Sequence, residues 1–251
     1  MPSYLITGAS RGIGLGLVQE LLKNPENQVL ATARDPSNSK GLQELRRQYP
    51  DNSRLALITL DVGKPEEIVK AAEEATKLLP DGLDVLINNA AILKNILETF
   101  DEIDTSAFLE ELRLNTIAIL DVLRAFKPLV AKSAQKKVVV ISSVQGSLES
   151  VGQLPNMGFT YSVTKAGVNM LLRKWGKVYK EEGITTILIH PGWVATDMGL
   201  QGYDKYNKSL PPHLKPISIE ESSIGVVKVI EDTQFSETTL FLSNDGETVP
   251  W

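Results

Sequence analysis

The feature that most restricts this chain is an alternation. Short runs rich in Val, Ile and Leu are separated by segments with helical apolar spacing along most of the length. The strand-like runs fall at 4–7, 28–32, 55–60, 85–88, 137–142, 185–189 and 239–242. They are apolar in the way expected of strands buried on both faces. Between them, 15–23, 65–78, 108–132, 161–182 and 219–232 carry the spacing of amphipathic helices. Strand–helix repetition of this kind builds βαβ units and a parallel sheet. There is no linker, internal repeat or low-complexity tract, so residues 1–251 read as one α/β domain large enough for a substantial core.

Composition removes several classes of function. Lys+Arg 26 against Asp+Glu 31 leaves a net charge of −5, with no basic footprint for a nucleic acid. Cysteine is absent, so there is no disulfide framework, thiolate metal site or cysteine nucleophile, which suits a reducing compartment. The two histidines, His190 and His213, have no partner at metal-ligand spacing, and no metal is expected. No apolar run is long enough to span a bilayer. The chain enters a strand-like run at Ser3 with no room for a signal peptide, and the expected location is the cytoplasm.

The first strand leads into Thr7-Gly8-Ala9-Ser10-Arg11-Gly12-Ile13-Gly14, which opens the first helix. Glycines allow the tight turn and close backbone approach that a pyrophosphate needs. The helix N-terminus offers that anion unpaired N–H groups and the positive end of a dipole. A plain strand-to-helix turn is the alternative, but the strand–turn–helix context favours a dinucleotide. The end of the second strand selects which one. An acidic residue there would suit the ribose hydroxyls of NAD. The chain instead reads Ala31-Thr32-Ala33-Arg34. Arg34 together with Arg11 suits the 2′-phosphate of NADP(H), since a guanidinium fork matches phosphate geometry. Two solvated arginines remain the bland alternative, and Asp35 lies beside them.

Other strand ends carry polar residues where α/β sheets bind ligands. Asp61, followed by Val62, is either an acceptor beside the adenine or a helix cap. Asn88-Asn89-Ala90-Ala91 lets backbone approach a cofactor, or simply turns the chain. Ser142 and Ser143 close the fifth strand, and Ser143 is placed to orient a carbonyl. Pro191-Gly192 makes a rigid turn after the sixth strand, with Thr196 in reach of a cofactor carboxamide or pyrophosphate and His190 read as packing. Asn115 sits inside an apolar helical run, where it marks a bend or a bound water.

Tyr161 and Lys165 stand at i and i+4, so a helix puts both on one face. A free tyrosine, with a pKa of about 10, is a poor acid near neutrality. A nearby ammonium favours the phenolate and draws that value down. Such a pair can give a proton to a carbonyl oxygen or take one from an alcohol. The long irregular section at about 195–217, containing Met198, Leu200, Tyr203, Tyr206 and Leu210, reads as a substrate loop.

Taken in order, TGASRGIG at 7–14, NNAA at 88–91, Asn115, ISS at 141–143, YSVTK at 161–165 and HPGWVAT at 190–196 resemble the short-chain dehydrogenase/reductase family in its classical form. The likeness extends over essentially the whole chain. It implies a doubly wound Rossmann fold with a seven-stranded parallel sheet flanked by helices on both faces. It also implies a catalytic set of Asn115, Ser143, Tyr161 and Lys165. The cofactor contacts it implies are Gly8, Ser10, Arg11, Gly12, Ile13, Gly14, Arg34, Asp61, Val62, Asn88, Ala90, Tyr161, Lys165, Pro191, Gly192, Val194 and Thr196. In this scheme Ser143 orients a carbonyl, Tyr161 donates the proton, Lys165 also binds ribose hydroxyls, and Asn115 holds a water.

Two departures stand out. The 145–160 stretch is longer than usual, with Gly152, Pro155 and Gly158, and Ala91 replaces a common glycine. The insertion and the closing residues resemble carbonyl reductases of the bacterial C-factor and fungal norsolorinic-acid-ketoreductase type. The expected activity is therefore NADPH-dependent reduction of a small, hydrophobic ketone or aldehyde. The alternatives are an NAD-dependent secondary-alcohol dehydrogenase, which an acidic residue in place of Ala33 would favour, and a non-catalytic dinucleotide-binding signalling protein. Relatives pair through the two long helices, so a homodimer, a homotetramer and a single chain all stay open.

Overall fold

The computed structural model describes residues 1–153, 157–201, 203 and 215–251. All seven expected strands form: β1 (Ser3–Ile6), β2 (Gln28–Ala33), β3 (Leu55–Thr59), β4 (Val85–Asn88), β5 (Lys137–Ile141), β6 (Thr185–His190) and β7 (Leu240–Ser243). They lie in one sheet in the order β3-β2-β1-β4-β5-β6-β7, and every neighbouring pair is parallel. The order reverses between β1 and β4, with Ile6 opposite Ile87, and this opens a crevice at the carboxyl ends of the strands.

The central strands are apolar on both faces through their middles, with polar residues such as Ser3, Asn88, Lys137 and His190 at their ends, because each feeds two cores. Tyr4, Ile6, Val85, Ile87, Val139, Ile187 and Ile189 join the core layer under α1 (Gly12–Lys23), α2 (Lys40–Gln48) and α7 (Ile219–Asp232). Leu5, Leu86, Val138, Val140 and Leu188 point the other way. They pack beneath α3 (Pro65–Leu78), α5 (Ala118–Lys132) and α6 (Phe159–Tyr179). The period of two along a strand thus sends neighbours to opposite helical layers.

Helix ends follow local chemistry. α3 begins with Pro65 at its first position and carries Glu66 and Glu67 in its first turn. α7 starts where the Ser218 hydroxyl accepts from the Glu221 N–H at 3.0 Å. α2 is absent from the sequence-based expectations. It buries only Leu42 and Leu45, too few apolar residues for a periodic signal, and is held by its Ser39 N-cap.

The expected helix over 108–132 is instead α4 (Thr105–Leu112), a π-helical turn (Arg113–Ile117) and α5. The interruption centres on Asn115, the residue whose polarity pointed to a bend. The helix expected over 161–182 is α6 followed by a 3₁₀ turn (Lys180–Glu182), ended by Gly183 at φ 74°.

Parts of the two expected rim loops lie outside the described residues: 154–156 of the 145–160 stretch, and 202 and 204–214 of the substrate loop, among them Tyr206, Leu210 and His213. Among the described residues no helix is long and apolar enough to cross a membrane, and no group of three His, Cys, Asp or Glu could hold a metal.

Candidate active site

A cavity of about 490 Å³ occupies the crevice, within the usual range for small-molecule sites. Its floor is the glycine loop. Gly8 has φ 68°, and a Cβ there would lie 2.9 Å from the Ala90 Cα, so both conformation and space require glycine. Gly12 (φ 57°) opens α1, whose N-cap Arg11 makes no side-chain cap bond. Among the described residues no side chain caps the start of α1, which leaves its first N–H groups to meet an anion at the cavity floor.

The loop is fixed to β4 by polar contacts. Thr7 Oγ1 accepts from the N–H groups of Asn89 (3.0 Å) and Ala90 (3.1 Å). Asn89 Nδ2 donates to the carbonyls of Thr7 and Gly8 at 3.0 and 3.1 Å. Asn89 also lines the cavity, so one residue builds both the loop and its wall.

At one end of the cavity stand Arg34, Arg11 and Asp61. Arg34 is exposed, and among the described residues its guanidinium has no ion-pair partner. The two arginines expected to converge share this cavity, but Arg11 Nη1 instead donates to Asp197 Oδ2 at 2.7 Å across the mouth. Asp35 is turned to capping: it accepts from the Ser37 hydroxyl (2.5 Å) and the Asn38 N–H (3.1 Å), contacts that lower its pKa. Asp61 lines the cavity but does not cap a helix: its Oδ1 accepts from the Gly63 N–H at 2.9 Å in a local turn, and the N-cap of α3 is Lys64.

At the other end Tyr161 and Lys165 line the cavity from one face of α6, with Lys165 Nζ 5.5 Å from the Tyr161 ring centroid. Lys165 is 2% exposed and donates to the Ile141 carbonyl at 2.8 Å. Burial lowers its pKa to about 8. The Tyr161 hydroxyl makes no hydrogen bond among the described residues and stays available to a ligand. The balance on this phenol departs from the sequence expectation. Burial raises its pKa, the Glu111 carboxylate raises it further, and the ammonium does not reverse them. The phenol is thus held protonated, as a proton donor requires.

Asn115 stands behind this end and does not line the cavity. It is fully buried, its Oδ1 accepts from the Ile92 N–H, and its Nδ2 donates to the Ile92 carbonyl, both at 2.8 Å. Nδ2 also reaches Thr164 Oγ1 at 3.2 Å. Ile92 is a wall residue, so the π turn sets the wall through this amide. Ser142, not Ser143, lines the cavity, and its hydroxyl donates to Asn169 Oδ1 at 2.5 Å. Ser143 is the next residue; its Oγ accepts from the Gln145 N–H at 3.2 Å, which leaves its own proton free to be donated.

The remaining expected residues divide. Ser10, Ile13, Gly14, Val62, Ala90, Pro191 and Thr196 line the cavity. Asn88, Gly192 and Val194 do not: Asn88 is buried against the Val139 carbonyl, and Val194 bridges to Ile217. Met198 and Leu200, assigned to the substrate pocket, line the cavity too, and Tyr203 packs edge-on against Trp193 at 5.7 Å. Two functional neighbours were missed. Asp197 lies 186 residues from Arg11, and no spacing links them. Glu111 stands four residues before Asn115 in the same apolar run, a helical offset that could have flagged it.

The residues fit a nicotinamide dinucleotide bearing a 2′-phosphate: free α1 amides for the pyrophosphate, an unpaired Arg34 at one end, and a phenol–ammonium pair at the other. Comparisons with known proteins agree. The family profile described as short chain dehydrogenase matches residues 3–206. A short-chain dehydrogenase of Pyricularia oryzae is 32% identical, covering 99% of this chain and 98% of the relative. The norsolorinic acid ketoreductase of Dothistroma septosporum is 30% identical over 99% of this chain and 92% of its own. The crystal structure of an NADPH-bound carbonyl reductase from chicken fatty liver superposes with a TM-score of 0.86 at 34% identity, covering 100% of this chain and 99% of that one.

Proposed function

The chain belongs to the short-chain dehydrogenase family, and from that premise we propose that it is an NADPH-dependent carbonyl reductase acting on a small hydrophobic ketone or aldehyde. The observation that carries this reading is the placing of Tyr161 and Lys165 in the same cavity as the glycine loop and Arg34. NADPH, when bound, supplies the hydride. The free amides at the start of α1 hold its pyrophosphate, and Arg34 meets its 2′-phosphate. Tyr161 gives its phenolic proton to the carbonyl oxygen as the alcohol forms. Lys165, close to its ring, balances the phenolate left behind. Ser143, beside the cavity-lining Ser142, keeps a free hydroxyl proton that would orient the same oxygen. Asn115 acts through the wall, by holding Ile92.

Residues 1–251 act as one dinucleotide-binding unit, and Met198 and Leu200 give the 195–217 loop an apolar contact with the substrate. Pairing of two copies is supported by Leu109, Ile117, Val163 and Met170, which are exposed on α4, the π turn and α6. The test follows reduced-nicotinamide absorbance with NADPH or NADH and a panel of quinones, aldehydes and ketones. Turnover with an apolar carbonyl, faster with NADPH, is expected. No turnover across the panel would end the enzyme reading.

A further inference from the structure

Asn169 has no part in the roles above, yet it is a buried amide in the middle of α6, one helical turn beyond Lys165 and two beyond Tyr161. Its side chain reaches out of its own helix at both polar atoms. Oδ1 accepts from the Ser142 hydroxyl at 2.5 Å, and Nδ2 donates to the Gly146 carbonyl at 3.1 Å. A carbonyl can only accept, so the amide nitrogen must face Gly146 and the Ser142 hydroxyl must donate to Oδ1. The two partners flank Ser143: Ser142 lies just past the end of β5, and Gly146 closes the 3₁₀ turn Val144–Gly146.

The same turn rests directly on α6. A Cβ on Gly146 would lie 2.7 Å from the Lys165 carbonyl carbon and 2.9 Å from the Ala166 nitrogen, so only glycine fits there. Before the turn, Lys165 Nζ donates to the Ile141 carbonyl at 2.8 Å. Residues 141–146 are thus fixed to the helix that carries Tyr161, and Ser143 lies inside the fixed stretch. Lys165 also faces the cavity, whereas Asn169 does not line it. Packing alone would be served by an apolar side chain, as at Val168 and Leu172 on the same helix. A buried amide is costly unless both its ends are paired, and here both are paired to the two sides of Ser143.

We propose that Asn169 is a positioning residue: by clamping Ser142 and Gly146 to α6, it sets the Ser143 hydroxyl against the Tyr161 phenol so that both meet one carbonyl oxygen. This rests on the carbonyl-reductase reading, because only there do Ser143 and Tyr161 act on the same substrate atom. Rate depends steeply on such placement, and a shift of about 1 Å can cost roughly 10²-fold. Asn169 acts through Ser143, so its contribution should vanish once the Ser143 hydroxyl is gone.

The experiment is a double-mutant cycle of Asn169→Ala and Ser143→Ala, read by single-turnover oxidation of bound NADPH on mixing with a carbonyl compound that the wild type reduces. Protein in excess over NADPH keeps the slow variants measurable. Asn169→Ala should lower the rate roughly 10-fold or more when Ser143 is present. In the Ser143→Ala background it should lower the rate by less than about 2-fold, the scatter of independent sites. NADPH affinity, from fluorescence titration, should hold in all four proteins. A role confined to stability would cost both backgrounds alike. Equal losses in the two backgrounds, no loss when Ser143 is present, or a loss of NADPH affinity that accounts for the rate would each overturn the proposal. Should Asn169→Ala not fold, Asn169→Ser enters the same cycle, since it keeps a polar group but is too short to reach both partners. Wild-type reduction of the carbonyl panel is measured alongside: its absence defeats the functional reading, whereas equal losses in an active enzyme defeat only the role of Asn169.

Discussion

The two ends of the cavity use charge in opposite ways. At the mouth, the Arg11 and Asp197 side chains are 76% and 83% exposed, and water screens whatever they exchange. Behind the inner end the charged Lys165 and Glu111 are essentially buried, and each is committed to a specific neighbour. Exposed charges of the first kind recognise a ligand while contributing little to the fold. Burial of the second kind shifts protonation, as at Lys165, because desolvation disfavours the ionised form. In the proposed reading the mouth selects the ligand and the inner end performs chemistry on it.

This contrast breaks most directly at the inner end. Tyr161→Phe keeps the ring and removes the acid; turnover should fall by roughly 10²-fold or more while NADPH binding, followed by fluorescence, is retained. Full turnover in that variant would mean the proton comes from elsewhere. Lys165 yields a second test in protein without added dinucleotide. Its folded-state pKa of about 8 lies below its ordinary value of 10.5. Between these two values the unfolded chain binds a proton that the folded chain does not, so stability rises with pH across that window. The gain is on the order of 3 kcal/mol. Urea unfolding at pH 7.5 and pH 10 should show this rise in the wild type relative to Lys165→Met. A difference that does not change with pH would place the ammonium in water.

Effects at the mouth should be smaller and confined to the ligand. Arg34→Asp is expected to weaken NADPH by roughly 10-fold or more, the scale of a lost charge-assisted hydrogen bond, and to spare NADH. Equal losses for the two cofactors would remove Arg34 from phosphate recognition. Asp197→Ala should be the mildest change. It frees Arg11 without altering Tm beyond error, because exposed ion pairs contribute little. A clear fall in Tm would show that the mouth is part of the fold and erase the contrast between the ends.

The elements differ in how readily they could be read before folding. The strands were legible because burial on both faces writes continuous apolar runs such as Val138-Val139-Val140-Ile141. α3 and α7 were legible to the residue, since each has a start signal and a periodic face. α2 was not, because two buried leucines cannot establish a period. Of the candidate site, the glycine loop and the Tyr161/Lys165 pair could be seen because each is local: a strand–turn–helix, and one turn of one helix.

The sequence by itself determined the succession of the seven strands, the glycine-rich turn and the acid–cation pair, since these depend only on near neighbours along the chain. Tertiary structure alone decided that Arg11 faces Asp197, that Asn115 holds Ile92 and that Glu111 weighs on Tyr161. It also decided that the phenol is raised and not lowered. The reason is physical: the cost of a charge depends on the water removed around it and the charges brought near it, and both are set only when distant segments meet.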